Sequence, residues 1–396
     1  MFIILQNIRF WVFISILGLI IQVLGFILFG MSSINHLTPF VVYTNLWIIS
    51  ILLIKYFFNR KPERKLNYTI LSTSIFVTIC ILEFALRFFG VTALRTEKQL
   101  LGHYISPYRT NQRYWIDKRT HDFYLTTPEF KYYRKLNKEG FSDKNWYFDK
   151  IKHKYRILTL GDSFTEGDGA DADSTWQRFL ERKLNDTSIF IMNAGVCGSD
   201  PVFEYYLFTH RLIKYKPHLV IITINHSDIF DIVIRGGFER FQGNEVVFKK
   251  APWWEPIYAI SFISRLIFRL RYDTNLLDKN KKFDYGYYSS LIIAESIRKF
   301  MDLGKHHSVK FLFVFNPGQG ELKKRIHLWK ILVKKLEKNH IPVCDLYQYY
   351  LQQNVTNNLS EYYWPINGHH NAAGYKLMSE GILQCIKKYS LFPEKK

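Results

Sequence analysis

The hydrophobic pattern divides the chain into two regimes. In the first 90 residues, apolar positions run together: residues 10–29, 38–54 and 66–82 contain no Asp, Glu, Lys or Arg. Twenty such residues span the hydrocarbon core of a bilayer, and 17 are the lower limit. Lys55 and Arg87 can extend the two shorter stretches by snorkelling. The pattern therefore predicts three transmembrane helices. A single N-terminal anchor, with the short stretches as buried helices, is the alternative. Residues 10–29 are too long for the apolar part of a signal peptide, and no small-residue cleavage pattern follows them.

From about Tyr155 the period changes. "YRILTL", "SIFIMNAG", "HLVIITIN", "VKFLFVFNP" and "IPVCDL" read as buried strands. Between them lie helical patterns. "STWQRFLERKLND" is an amphipathic helix opened by Ser174, with Trp176, Phe179, Leu180 and Leu184 on one face. "PVFEYYLFTHRLIKY" is helical, "YYSSLIIAESIRKFMDLG" is a helix ending at its Gly, and "GELKKRIHLWKILVKKLEKN" is one helix. "NAAGYKLMSEGILQCIKKY" closes the chain. Strands alternating with helices predict a parallel sheet covered on both faces. The chain thus reads as a membrane region over 1–90, a polar connecting segment over 91–150 with one or two strands near a Gly turn, and an α/β domain over 151–396. An insertion occupies 229–286. Its "APWWEPIYAISFISRLIFRLRY" is a lid over the site, an interfacial helix at the bilayer, or a helix packed on the domain.

Charge adds an orientation. Residues 31–38 contain no Lys or Arg, whereas 55–65 contain Lys55, Arg60, Lys61, Arg64 and Lys65 against Glu63 alone. The positive-inside rule places the second loop in the cytoplasm and everything after the third span outside. A multi-pass membrane protein with an extracytoplasmic domain is the expectation. Glu83 and Arg87, four apart, can pair near the end of that span. The formal net charge is +20 over 396 residues. No arginine-rich run or zinc pattern accompanies it, so the partner is read as the lipid bilayer and not nucleic acid. The four cysteines, Cys80, Cys197, Cys344 and Cys385, have unrelated spacings and read as free thiols. No metal site or cofactor is read; "GDGADADS" lacks the ligand spacing of a calcium loop.

Candidate chemistry sits at the strand ends. Open parallel sheets bind ligands at the carboxyl ends of their strands. Ser163 lies there, as do Asn193 to Gly195 and Asn225. A serine hydroxyl needs a base within hydrogen-bond reach, and acyl transfer needs donors aimed at the developing oxyanion. "WPINGHHNAAGY" offers His369 and His370 before the last helix.

Gly161-Asp162-Ser163, Asn193-Ala194-Gly195, Asn225 and His369 resemble, in this order, the four blocks of the SGNH/GDSL hydrolase superfamily. The resemblance covers residues 154–387. It implies a three-layer α/β/α, flavodoxin-like domain and a serine esterase or acyltransferase acting on acyl esters. It implies Ser163 as nucleophile and His369 as base, five residues before Gly374. The Ser163 N–H, Gly195 N–H and Asn225 side chain would form the oxyanion hole. The acid that orients the histidine in this family corresponds to Asn367 here. Asn367 can accept a hydrogen bond from the ring but cannot stabilise the imidazolium by charge. Asp228 and Asp345 are the alternative third members, and an inactive SGNH-like binding module is the alternative function. Position 226, after Asn225, holds His where the family often has Asp.

Overall fold

The computed structural model describes residues 38–91, 121–242, 245–246, 254–271 and 285–392, together with Phe13, Ile16, Leu17 and Ile20. These last four are helical; otherwise the expected first span lies outside the described residues. The chain forms two compact units. One comprises Met1–Arg109 with Lys249–Phe283, the other Thr110–Phe248 with Asp284–Lys396.

In the first unit, α1 (Thr38–Phe57) and α2 (Pro62–Phe88) pack side by side. Both are long and apolar enough to cross a membrane, with mean hydropathy of 1.7 and 2.0. Each runs beyond the uncharged stretch that predicted it. Leu46, Leu53, Ile70, Ile81 and Phe84 stay exposed, as lipid-facing side chains would. The Glu83–Arg87 pair forms at 2.7 Å, but it is more than an anchor. Glu83 is fully buried and caps the helix Phe262–Arg269. Its carboxylate accepts from the N–H of Phe262 (3.0 Å) and Ile263 (3.1 Å), and from the hydroxyls of Ser261 (2.9 Å) and Tyr43 (3.2 Å). Arg87 donates to the Ile260 carbonyl at 2.8 Å. Residues 254–271 of the insertion belong to the unit of the apolar helices. A buried carboxylate is tolerated there because helix N–H groups and a guanidinium satisfy it.

The second unit opens with a hairpin, β1 (Phe123–Thr126) against β2 (Lys131–Arg134). The core is a five-stranded, all-parallel sheet built from β3 (Tyr155–Leu160), β4 (Ile189–Asn193), β5 (Leu219–Asn225), β6 (Lys310–Asn316) and β7 (Val343–Asp345). The order β4-β3-β5-β6-β7 is that of a doubly wound fold, whose crevice opens between β3 and β5. Side-chain alternation explains the layers. Leu158, Leu160, Ile222, Ile224, Phe313 and Phe315 face one core with Phe203, Ile232, Ile297 and Trp329. Ile157, Ile191, Leu219, Ile221, Leu312 and Val314 face the other, with Trp176, Leu180, Tyr375 and Met378. The domain is a three-layer α/β/α sandwich, as the strand–helix alternation predicts.

Local details differ from the pattern. Trp176–Leu184 is capped at Thr175, with Ser174 in a preceding 3-10 turn. The expected single helix after β6 is two, Gln319–Lys324 and Lys330–Lys338, because Arg325 adopts φ +53°. Tyr285–His307 continues three residues beyond Gly304. Cys344 and Cys385 are not free thiols but form a disulfide, with Cα atoms 5.6 Å apart. One lies in the middle of β7 and the other on the closing helix, Ala372–Lys388, so only the packing of sheet and helix brings them together. Among the described residues, Cys80 and Cys197 are not in a disulfide.

Candidate active site

Ser163 opens a one-turn helix, Ser163–Glu166, directly after β3. Asp162 caps it, accepting from the Phe164 N–H at 2.9 Å. The same carboxylate accepts from Asn225 Nδ2 at 2.8 Å and from Ser227 Oγ at 2.8 Å. Burial pushes the Asp162 carboxyl up to about 7, opposed by these donors. Asp162 thus ties the end of β3 to the end of β5 across the crevice.

The base comes from the other end of the chain. Ser163 Oγ lies 2.7 Å from His369 Nε2. On the far side of the ring, His369 Nδ1 donates to Asn367 Oδ1. This fixes the tautomer that leaves the Nε2 lone pair for the serine proton. The Phe164 ring packs on the imidazole, centroids 4.8 Å apart. Burial lowers the His369 pKa to about 4, so the ring is neutral near pH 7. His370 is placed quite differently. It is wholly buried among Tyr350, Tyr363 and Tyr375 and hydrogen-bonds Asn316 Oδ1 (3.2 Å) and the Tyr350 hydroxyl (3.2 Å). The structure brings Ser163, His369 and Asn367 together and leaves His370 in the core.

Neither aspartate touches the His369 ring. Asp345 caps the helix at Leu346 and faces His327 at 2.9 Å. Asp228 accepts from the Asn225 N–H at 2.7 Å. The carboxylate near the triad is Glu129, which sequence reading missed. From the turn of the β1–β2 hairpin it accepts the N–H of Ile366 (2.9 Å) and Asn367 (2.6 Å). No local pattern marks it, since it acts on a turn more than 230 residues away. Glu129→Ala is expected to lower kcat about tenfold with little change in KM, because a loosened Asn367 misdirects the ring. Steady-state kinetics on a short-chain ester check this.

The three groups expected to form the oxyanion hole, the Ser163 N–H, the Gly195 N–H and the Asn225 side chain, are placed differently from one another. The Gly195 N–H is committed to Asn193 Oδ1 at 3.0 Å. Gly195 is needed for another reason: a Cβ there would strike the backbone of Thr165 and Glu166. Three residues on, Gly198 adopts φ +72° and lines the cavity over Ser163. Glu166 holds this loop by accepting the Cys197 N–H at 2.7 Å. Among the described residues, the N–H groups of Ser163 and Gly198 have no hydrogen-bond partner. Asn225 is fully buried; its Oδ1 accepts from Asn316 Nδ2 at 2.9 Å, and Asp162 takes one of its two Nδ2 protons.

The cavity holds about 330 Å³. Its walls include His226, whose pKa burial and His369 both lower. The loop after Ser163 is held by the protein itself: Tyr132 donates to Asp168 at 2.7 Å, and Arg134 to the carbonyls of Gly167 and Ala170. Among the described residues no group of three His, Cys, Asp or Glu is placed to hold a metal ion.

No family model matches the chain. An uncharacterized protein of Mycoplasma pneumoniae is 33% identical over 89 residues, 21% of this chain and 10% of that protein. The match thus spans about a tenth of that relative's length. Among solved structures, a member of the lipolytic protein G-D-S-L family from Veillonella parvula has a TM-score of 0.37 and 11% identity, covering 59% of this chain and 98% of its own. A lipase/acylhydrolase from Enterococcus faecalis has 0.37 and 15%, covering 61% and 99%. An acetyl xylan esterase has 0.38 and 13%, covering 58% and 99%.

Proposed function

We propose that this chain is a membrane-anchored serine esterase or acyltransferase that works through a covalent acyl-serine. The observation that carries it is the chain of hydrogen bonds from Ser163 Oγ to His369 to Asn367, at the switch point of a doubly wound sheet. In this reading His369 Nε2 takes the serine proton as Oγ bonds to the acyl carbon. The ester C–O bond then breaks, and the leaving alcohol takes the proton from His369. Water or a second hydroxyl repeats the sequence in reverse and frees the serine. The Ser163 and Gly198 N–H groups supply the oxyanion hole, with Gly198 in the part first assigned to Gly195. Asn225 contributes through its second Nδ2 proton.

A burst experiment tests this. Full-length protein in detergent, mixed with p-nitrophenyl acetate, should release about one p-nitrophenol per site ahead of slower turnover. Absence of both burst and turnover would contradict the reading. An added alcohol acceptor that speeds turnover would mark a transferase, and indifference to it a hydrolase. One observation favours a second reading: Asn367 brings no charge to the imidazolium, as an inactive binding module would permit.

The two apolar helices and the loop charges support an anchored protein with its α/β unit outside the cytoplasm. Such a site favours acyl groups on cell-envelope glycans or lipids. Reporter enzymes fused after Phe89 should read as external and those near Lys61 as cytoplasmic. A cytoplasmic signal after Phe89 would contradict this placement.

A further inference from the structure

We propose that the substrate is a glycan bearing a short acyl ester: the acyl group enters the Ser163 cavity, and a sugar ring lies on Trp364 and Phe130 in the groove beside it. This rests on the serine-esterase reading above and narrows its substrate.

The cavity argues for a short acyl group. At about 330 Å³ it lies near the lower end of ligand pockets. Its lining includes the polar side chains of His226, Ser227, Asp231 and Gln319, with Phe164 and Cys197 as the apolar ones, and apolar surface makes up the larger part of the wall. A long alkyl chain here would strip water from polar groups and give no hydrogen bond in return. Among the described residues the His226 ring has no hydrogen-bond partner. Its lowered pKa keeps it neutral near pH 7. A neutral imidazole both donates and accepts, which suits a hydroxyl better than a carboxylate.

The groove argues for a sugar. It holds about 480 Å³ on the other side of the 364–369 turn. Trp364 forms one wall, and its indole is fixed by an Nε1 hydrogen bond to the Gly169 carbonyl at 2.7 Å. Phe130 lies 5.4 Å from it and stacks on Tyr132 at 5.7 Å. Both Trp364 and Phe130 are only half-buried. Asp171, Ser174 and Lys131 supply a polar rim. A sugar ring presents a C–H face to the negative face of an aromatic ring and hydroxyls around its edge. An acyl tail has no hydroxyls to offer this rim. Because the rings are held in place, little ordering cost falls on binding.

One turn contributes to both sites: Trp364 lines the groove, and Asn367, Gly368 and His369 line the cavity. Trp364 N–H donates to the His369 carbonyl at 2.8 Å, and Gly368 N–H to the Trp364 carbonyl at 2.8 Å. A ring seated on Trp364 therefore lies at the base of the turn that carries the imidazole.

Two ratios test the proposal in the full-length protein in detergent. The first is kcat/KM for p-nitrophenyl octanoate over p-nitrophenyl acetate. It is expected below about 0.1, and a value of one or more overturns the short-acyl assignment. The second is kcat/KM for O-acetylated cello-oligosaccharides over p-nitrophenyl acetate. It should fall about three- to tenfold in Trp364→Ala and in Phe130→Ala, mainly through KM, and less in Trp364→Phe, which keeps a ring. Because it is a ratio, partial loss of folded protein cancels. An unchanged ratio in all three variants overturns the glycan groove while leaving the esterase reading intact. Failure of the wild type to hydrolyse any of these esters overturns the esterase reading itself.

Discussion

Ser163→Ala is expected to lower kcat for p-nitrophenyl acetate by at least about 10⁴-fold, with a thermal midpoint close to wild type. The hydroxyl has one side-chain partner, His369 Nε2, and its loss leaves no buried group unpaired in the core. His369→Ala should cost a similar amount, since neither group acts without the other. His370→Ala should behave in the opposite way. Its ring fills space among three tyrosines and pairs Asn316 and Tyr350. Removing it should cost about 2–4 kcal/mol of stability while the folded fraction retains most of its kcat. Thermal unfolding and kinetics on the same samples separate the two histidines. Wild-type turnover in Ser163→Ala would remove the serine mechanism.

Asn367→Asp is expected to raise kcat at least about tenfold and to move the acid limb of the pH profile upward. The base must be neutral. Burial holds His369 near 4, so in the wild type kcat/KM should rise through about pH 4 and level off by about pH 6. A carboxylate on Nδ1 stabilises the imidazolium, which raises the pKa and makes the ring a stronger base. The limb then shifts toward neutral pH as the plateau rises. Asn367 is exposed, so a carboxylate there keeps part of its hydration. Asp228→Asn and Asp345→Asn should leave the limb in place, because neither aspartate touches the ring. An Asn367→Asp variant with neither gain nor shift would support the inactive module. A collapse in either aspartate variant alone would show that the third member is misassigned.

What the sequence revealed follows from which interactions are local. "YRILTL" became β3 because a continuous apolar run fits a strand buried on both faces. Ser163 and His369 were legible because each sits in a short motif next to an element boundary. Gly195 misled because a glycine at a strand end suits a close approach of any kind, and here it is backbone to backbone. Gly198, which lines the cavity, differs in its positive φ and in an N–H left unpaired among the described residues, both of which appear only after folding. Glu129, the Cys344–Cys385 bond and the Glu83 cap on residues 262–263 share a cause. Each joins segments far apart in sequence, and no periodicity or spacing encodes such a meeting. Helix ends failed for a smaller reason: Gly304 has the composition of a stop, yet it lies inside a helix that packs on the sheet.

Covalent trapping is the most direct test of the central claim. Full-length protein in detergent should react with a p-nitrophenyl alkylphosphonate to give one adduct, located by peptide mass spectrometry on Ser163. Labelling should vanish in Ser163→Ala and slow at least about a hundredfold in His369→Ala. An unlabelled wild type, or an adduct at any other residue that survives Ser163→Ala, would contradict the account.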